Sequence, residues 1–146
     1  PSADILAYCL MPNHFHFMIR VKEEAEENVL NKNIGILLRS YTRAVNIQEG
    51  FSGSLFQSHT KAKRIDEVEF LPLVCFNYIH LNPLKAKLIK SLNDWPYSSF
   101  LDYTGERNGT LVNKVALSEV LDINFTNYRQ DIFEYLMDGN VEKDLF

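Results

Sequence analysis

Cysteine is scarce in this chain. Cys9 and Cys75 are the whole complement, both in apolar stretches, and no CxxC spacing pairs them. They read as buried thiols of a reducing cytoplasm, which sets the expected location. No apolar run is long enough to cross a bilayer, so no membrane partner is expected. No charged-then-apolar leader opens the sequence, and nothing in it points to secretion. Repeats, low-complexity tracts and linkers are missing as well. So is an excess of positive charge: the formal net charge is −4, which by itself argues weakly against a polyanionic partner.

The 146 residues, 46% of them hydrophobic, suit a single domain over 1–146 with a proper core, in which 104–146 forms a C-terminal helical extension. The charge is unevenly spread. Between Lys32 and Arg64 the bases Lys32, Arg39, Arg43, Lys61, Lys63 and Arg64 face one acid, Glu49, and Lys85, Lys87 and Lys90 make a second basic cluster. Acids gather in "KEEAEEN" and after Asp102. A polyanion could bind one side of such a molecule; a solvated mixed-charge surface explains the pattern equally well.

Periodicity predicts a strand over residues 4–21, an acidic loop, and an amphipathic helix with Ile34, Leu37, Leu38, Tyr41 and Val45 on one face. "QEGFSGS" is turn chemistry, and "SLFQSHTKAKRI" is short and β-like. Asp66 is the expected N-cap of a helix through "EVEFLPLVCFNYIHL", with Pro72 in its first turn and its end near "LNP", because Pro83 biases Asn82 away from helix. Another short helix is expected over Lys85–Leu92, a turn at "NDWPYSS", and one or two small helices beyond.

The sharpest feature is "YCLMPNHFHFMIR". In a strand, positions two apart share a face, so His14 and His16 point one way and Phe15 and Phe17 the other. A lone histidine there would read as a core residue, but an alternating pair on an apolar strand favours a divalent metal. A histidine-triad hydrolase would need a third alternating histidine, where Met18 stands. A two-histidine phosphodiesterase would need Thr or Ser two after each histidine, in two copies, and this chain has neither. A third ligand could come from "NYIHLNP". On a helix Tyr78 and Asn82 share a face and His80 points away. Asn82 can then offer a carbonyl oxygen to the metal, with Tyr78 one turn off as a nucleophile toward a phosphate. Tyr41, between Arg39 and Arg43, is the rival nucleophile, though its spacing fits the apolar stripe of its helix.

"MPNHFHFMIR", "LLRSYTRAVN", "GSLFQSHTKAKRI", "YIHLNPLKAKLI" and "WPYSSF", in that order, resemble the single-tyrosine HUH transposases, above all their REP-associated branch. The likeness covers most of Ala7 to Tyr103. It implies His14 and His16 as metal ligands with Phe15 between them, Tyr78 as nucleophile, and Asn82 as the third, amide-type ligand. It implies Mg²⁺ or Mn²⁺ as cofactor and single-stranded DNA with hairpin structure as substrate. Cutting in that family leaves a 5′-phosphotyrosine link and a 3′-OH that can rejoin strands. Arg39, Arg43, Lys61, Lys63 and Arg64 are the candidate phosphate contacts, and Phe56, Trp95 and Tyr97 the candidate stacking rings.

Two departures matter. The family usually carries Arg where this chain has His59, so one phosphate contact is not carried over. It also opens with a strand and helix that are not seen here, so this N-terminal part of the sheet is expected to be missing. The fold expected is therefore α+β, a ferredoxin-like HUH domain: an antiparallel sheet with His14 and His16 on a central strand, the Tyr78 helix packed on it, and small C-terminal helices. A monomer or a homodimer would both suit the resemblance. Two readings compete with strand transfer: a non-catalytic, structure-specific single-strand binder derived from such an enzyme, and a metal nuclease that uses water.

Overall fold

The computed structural model describes residues 2–137 apart from 27, 58, 59, 68 and 122. His59, and with it the departure from the expected arginine, lies outside the described residues. Within them the protein is α+β, built from an antiparallel strand pair and five α-helices. The pair is β1 (Ala3–Leu10) and β2 (Phe15–Val21). The expected single strand over 4–21 is thus a hairpin. "MPNH" breaks it, because Pro12 has no amide hydrogen to give a ladder and the amide of Met11 donates to the carbonyl of His14 at 2.8 Å. With two strands among the described residues, no central strand exists: His14 sits in the hairpin connection and His16 on β2.

The chain divides into two compact units. One holds Val21–Lys63 with the start of β1; the other holds Asp4–Arg20 and Arg64 onward. The first is built on α1 (Val29–Glu49), where the 3.6-residue pattern predicted a helix. It stops at Gly50, whose φ of 68° suits a residue without Cβ. The stripe expected to be core on α1 is not buried: Leu37 and Tyr41 are each 57% exposed. The β-like stretch after it forms no strand among the described residues 51–57 and 60–65.

The second unit contains the core. Leu6, Ala7, Tyr8 and Cys9 of β1 are buried in succession, so both faces of this strand are covered. Its outer edge is closed by the 97–99 segment: the Leu10 amide donates to the Tyr97 carbonyl at 2.9 Å, and that of Ser99 to Tyr8 at 3.0 Å. Against it lies α2 (Leu71–Lys85), apolar nearly all round and accordingly buried from Cys75 to Asn77 and from Ile79 to Pro83. Asp66 does not cap this helix; it pairs with Arg64, and the chain turns before entering at Phe70, whose φ is 63°. Nor does α2 stop at "LNP". Pro83 removes one bond near the end, yet the Ala86 amide still reaches the Asn82 carbonyl at 2.9 Å, so the last turn persists. The short helix expected over Lys85–Leu92 is instead turn leading to a single 3₁₀ turn at Leu92–Asp94. Then come α3 (Phe100–Tyr103), which was not expected, and α4 (Lys114–Val120) and α5 (Tyr128–Met137), where one or two small closing helices were.

Two buried polar systems hold these pieces together. Asp102, on α3, accepts from Arg107 Nε and Nη2 at 2.8 and 2.7 Å and from the Gly109 amide at 3.0 Å. Burial works against its charge, but these donors and Lys114 hold its carboxyl below the usual carboxylate range. Gly109 must lack a side chain, since a Cβ there would stand 2.6 Å from Asp102 Oδ1. Arg107 also donates to the Tyr8 hydroxyl at 2.7 Å, tying α3 to β1.

The other system centres on His80, 1% exposed on α2. Its Nδ1 lies 2.7 Å from the Tyr128 hydroxyl on α5, and its Nε2 lies 2.7 Å from Ser99 Oγ. Tyr128 reaches on to Asn77 Oδ1 at 3.2 Å, and Ser99 Oγ to the backbone of Tyr8. A neutral imidazole supplies one donor and one acceptor to this chain, whichever ring nitrogen carries the proton. What opposes protonation is burial of the charged ring, which pushes the His80 pKa down to about 3. The unfolded chain takes up that proton below pH ~6.5, so this contribution is complete above that pH and is lost as pH falls toward the folded pKa. Urea titrations should therefore show stability falling by about 1 kcal/mol per pH unit through that window for this group. His80→Ala should lower stability by about 3 kcal/mol at neutral pH and flatten the acid limb. An unchanged acid limb would show that His80 titrates normally.

Candidate active site

The second unit also brings the sequence-predicted chemistry together. Along the hairpin connection, Asn13 Oδ1 lies 2.6 Å from His14 Nδ1. An amide oxygen only accepts, so Nδ1 is the donor in this contact and Nε2 is the ring nitrogen left for other partners. His14 is exposed and His16 half-buried, and their rings meet edge to face with centroids 4.9 Å apart. Burial, then the neighbouring His14, pushes the His16 pKa down to about 4, so its ring is neutral at ordinary pH. His16 is therefore a neutral ring packed beside His14, with its Nε2 buried.

Tyr78 joins them from α2. Its ring stands edge to face with that of His16 at 5.6 Å. The ammonium of Lys85 lies over the Tyr78 ring at 4.6 Å from the centroid. Asn82 shares the helix face: its Nδ2 donates to the Tyr78 carbonyl at 3.2 Å, and the residue is mostly buried. His80 points away from this face into its own network, as the helical spacing predicted. Imidazole nitrogens and an amide oxygen are donor types that suit a divalent cation with positions left for phosphate and water. No group of three His, Cys, Asp or Glu residues capable of binding a metal exists among the described residues.

Two members of the arrangement were not singled out by sequence reasoning. Lys85 lies seven residues after Tyr78, two helical turns along one face, a spacing that was readable once α2 was extended past Pro83. Asn13 stands beside His14, and its role needs the hairpin turn to be seen. The rival Tyr41 is on α1 in the other unit, where its ring packs on Phe56 at 6.0 Å. Arg39, Arg43, Lys61 and Lys63 also belong to that unit, and each is exposed. Arg64 is engaged by Asp66 at 2.7 Å and Glu67 at 3.5 Å, so carboxylates already partly offset its charge. Trp95 donates its Nε1 hydrogen to the Leu10 carbonyl at 3.1 Å and packs on Tyr97, which is 58% exposed. Cys9 and Cys75 are buried free thiols, and burial raises the Cys9 pKa to about 12. No helix among the described residues is long and apolar enough to cross a membrane.

Comparison with known proteins agrees with the motifs. No protein-family model matches the chain, and no solved structure matches it. A curated Haemophilus influenzae protein does, at 26% identity over 106 residues, 66% of this chain. Its name describes it as a REP-associated tyrosine transposase. The chain spans 58% of that relative's length. Both in its ordered motifs and in this longer alignment, the chain is similar to the REP-associated tyrosine transposases.

Proposed function

We propose that this protein is a DNA strand-transfer enzyme in which Tyr78 attacks single-stranded DNA beside a hairpin, with Mg²⁺ or Mn²⁺ held by His14, His16 and Asn82. The observation that carries this reading is the Tyr78 ring set edge-on to His16 at 5.6 Å, where His14 and Lys85 also converge. A tyrosine that served only to fill the core would have no need of two imidazoles and a cation around it.

The residues divide the work as follows. Tyr78 Oη attacks the phosphorus, the P–Oη bond forms and the P–O3′ bond breaks. The phenolic proton passes to solvent, and the departing 3′ oxygen ends as a hydroxyl. The same hydroxyl can reverse the step and rejoin a strand. Lys85 supplies fixed positive charge where the phosphate meets the phenol. Asn13 orients the His14 ring, and the bond from Asn82 Nδ2 to the Tyr78 carbonyl holds that amide in place. When bound, the divalent cation would polarise the phosphoryl oxygens and offset charge in the transition state.

Incubation with labelled single-stranded hairpins from the neighbouring genomic DNA, followed by denaturing electrophoresis, should give a metal-dependent, slow-migrating protein–DNA band. Tyr78→Phe should remove that band while changing DNA affinity by no more than about twofold. Cutting that persists in Tyr78→Phe without a covalent band would favour a water-using nuclease, and tight binding with no cutting by the parent protein would favour a non-catalytic binder. Calorimetry with Mn²⁺ should separately show affinity falling about tenfold in Asn13→Ala, because His14 loses the partner that orients it. Equal affinity in the variant would remove Asn13 from the account.

A further inference from the structure

The first unit carries a groove that the chemistry above does not use. It has a volume of about 820 Å³ and runs between α1 and the 51–57 segment. Its apolar wall includes Leu38, Ile47, Phe51 and Phe56, and Phe51 is 65% exposed. Arg39 and Arg43, one helical turn apart, line it too, and neither takes part in an ion pair among the described residues. Gly35 lies beneath Arg39: a Cβ there would come within 3.2 Å of Arg39 Nη1, so the missing side chain gives the guanidinium its place.

Asn46 adds the most specific feature. Its Nδ2 donates to the Gly53 carbonyl at 2.9 Å, which pins the amide, because a carbonyl oxygen can only accept. The other end, Asn46 Oδ1, is buried without a hydrogen-bond partner among the described residues. A buried acceptor left in this state costs free energy until a donor reaches it. The groove thus offers apolar faces, two uncompensated guanidinium groups and one acceptor awaiting an N–H.

From these we infer that the groove holds an unpaired nucleotide of a single DNA strand, its base against Phe51 and Phe56, its phosphate on Arg39 and Arg43, and a base N–H on Asn46 Oδ1. Bare phosphate would leave the apolar wall and the acceptor unused. A base paired in a duplex has its N–H donors already engaged, whereas every unpaired base presents one. The site is therefore tolerant of sequence and selective for single strands. This inference rests on the reading of the protein as DNA-processing, but it concerns binding and needs no cleavage.

The test is equilibrium fluorescence anisotropy without divalent metal, using the full chain carrying Tyr78→Phe so that no covalent capture contributes. The probes are a labelled oligothymidylate of about 12 nucleotides, within the span of single-strand sites, and an abasic strand of equal length. Phe51→Ala should weaken binding to oligothymidylate about tenfold and leave the abasic strand unaffected. Arg43→Gln should weaken both and reduce the salt slope by about 0.7. Phe51 and Arg43 are exposed, so neither change threatens the fold, and circular dichroism verifies this. Equal binding of oligothymidylate by the parent and Phe51→Ala proteins would overturn the inference. So would thymidine monophosphate competing as strongly as the strand, since a free nucleotide would then be the occupant. Because the assay is metal-free and non-covalent, its failure would leave the covalent-band test standing, and the absence of that band would leave this result standing.

Discussion

Everything at the candidate site depends on how α2 is rotated about its axis, and His80 sets that rotation. Residues 78 and 80 are two apart, so on a helix their side chains diverge by roughly 200°. Locking His80 between Ser99 and Tyr128 turns the opposite face, with Tyr78 and Asn82, toward the hairpin. A helix as uniformly apolar as α2 has little hydrophobic preference for one rotation over another. Directional bonds to a buried imidazole give it one, because a slip of one residue would leave three polar groups buried without partners.

The hairpin has the matching constraint. β1 is anchored by its neighbours along both edges: β2 on one, the 97–99 segment and Asn113 on the other. Since Ser99 bonds both Tyr8 and His80, the same residue that closes the edge of β1 holds α2 in place. The strand that leads into the His14–His16 connection and the helix that carries Tyr78 are therefore referenced to one point. Arg107, spanning Asp102 and Tyr8, ties α3 into this frame. A distance such as the 5.6 Å between the His16 and Tyr78 rings follows from these shared anchors rather than from direct bonding between the two side chains.

Local pattern made α1, the histidine pair and the Tyr78–Asn82 face legible, because each rests on a fixed repeat within one element. The pair meets for a reason different from simple alternation, however: His14 lies in the turn and only His16 on the strand. Pro12 and Asn13 in "MPNH" were the available signal for that turn, masked by the apolar residues on either side. The ends of α2 were misread because its entry uses a left-handed Phe70 instead of a polar cap, and because a proline one turn from a C-terminus costs only one bond. Least legible were the partners of His80, 19 and 48 residues away in sequence, which no local pattern encodes. The groove residues were visible only as a basic run; that Asn46 turns one end of its amide to Gly53 and leaves the other buried depends on the folded loop.

The proposed mechanism requires the histidine pair beside Tyr78 to bind metal, and paramagnetic NMR addresses that directly. With ring resonances assigned, Mn²⁺ added at substoichiometric levels should broaden His14 and His16 first and Tyr78 with them, ahead of the buried His80 on the opposite face of α2. Broadening that begins elsewhere, or that reaches the histidines and spares Tyr78, would contradict the account.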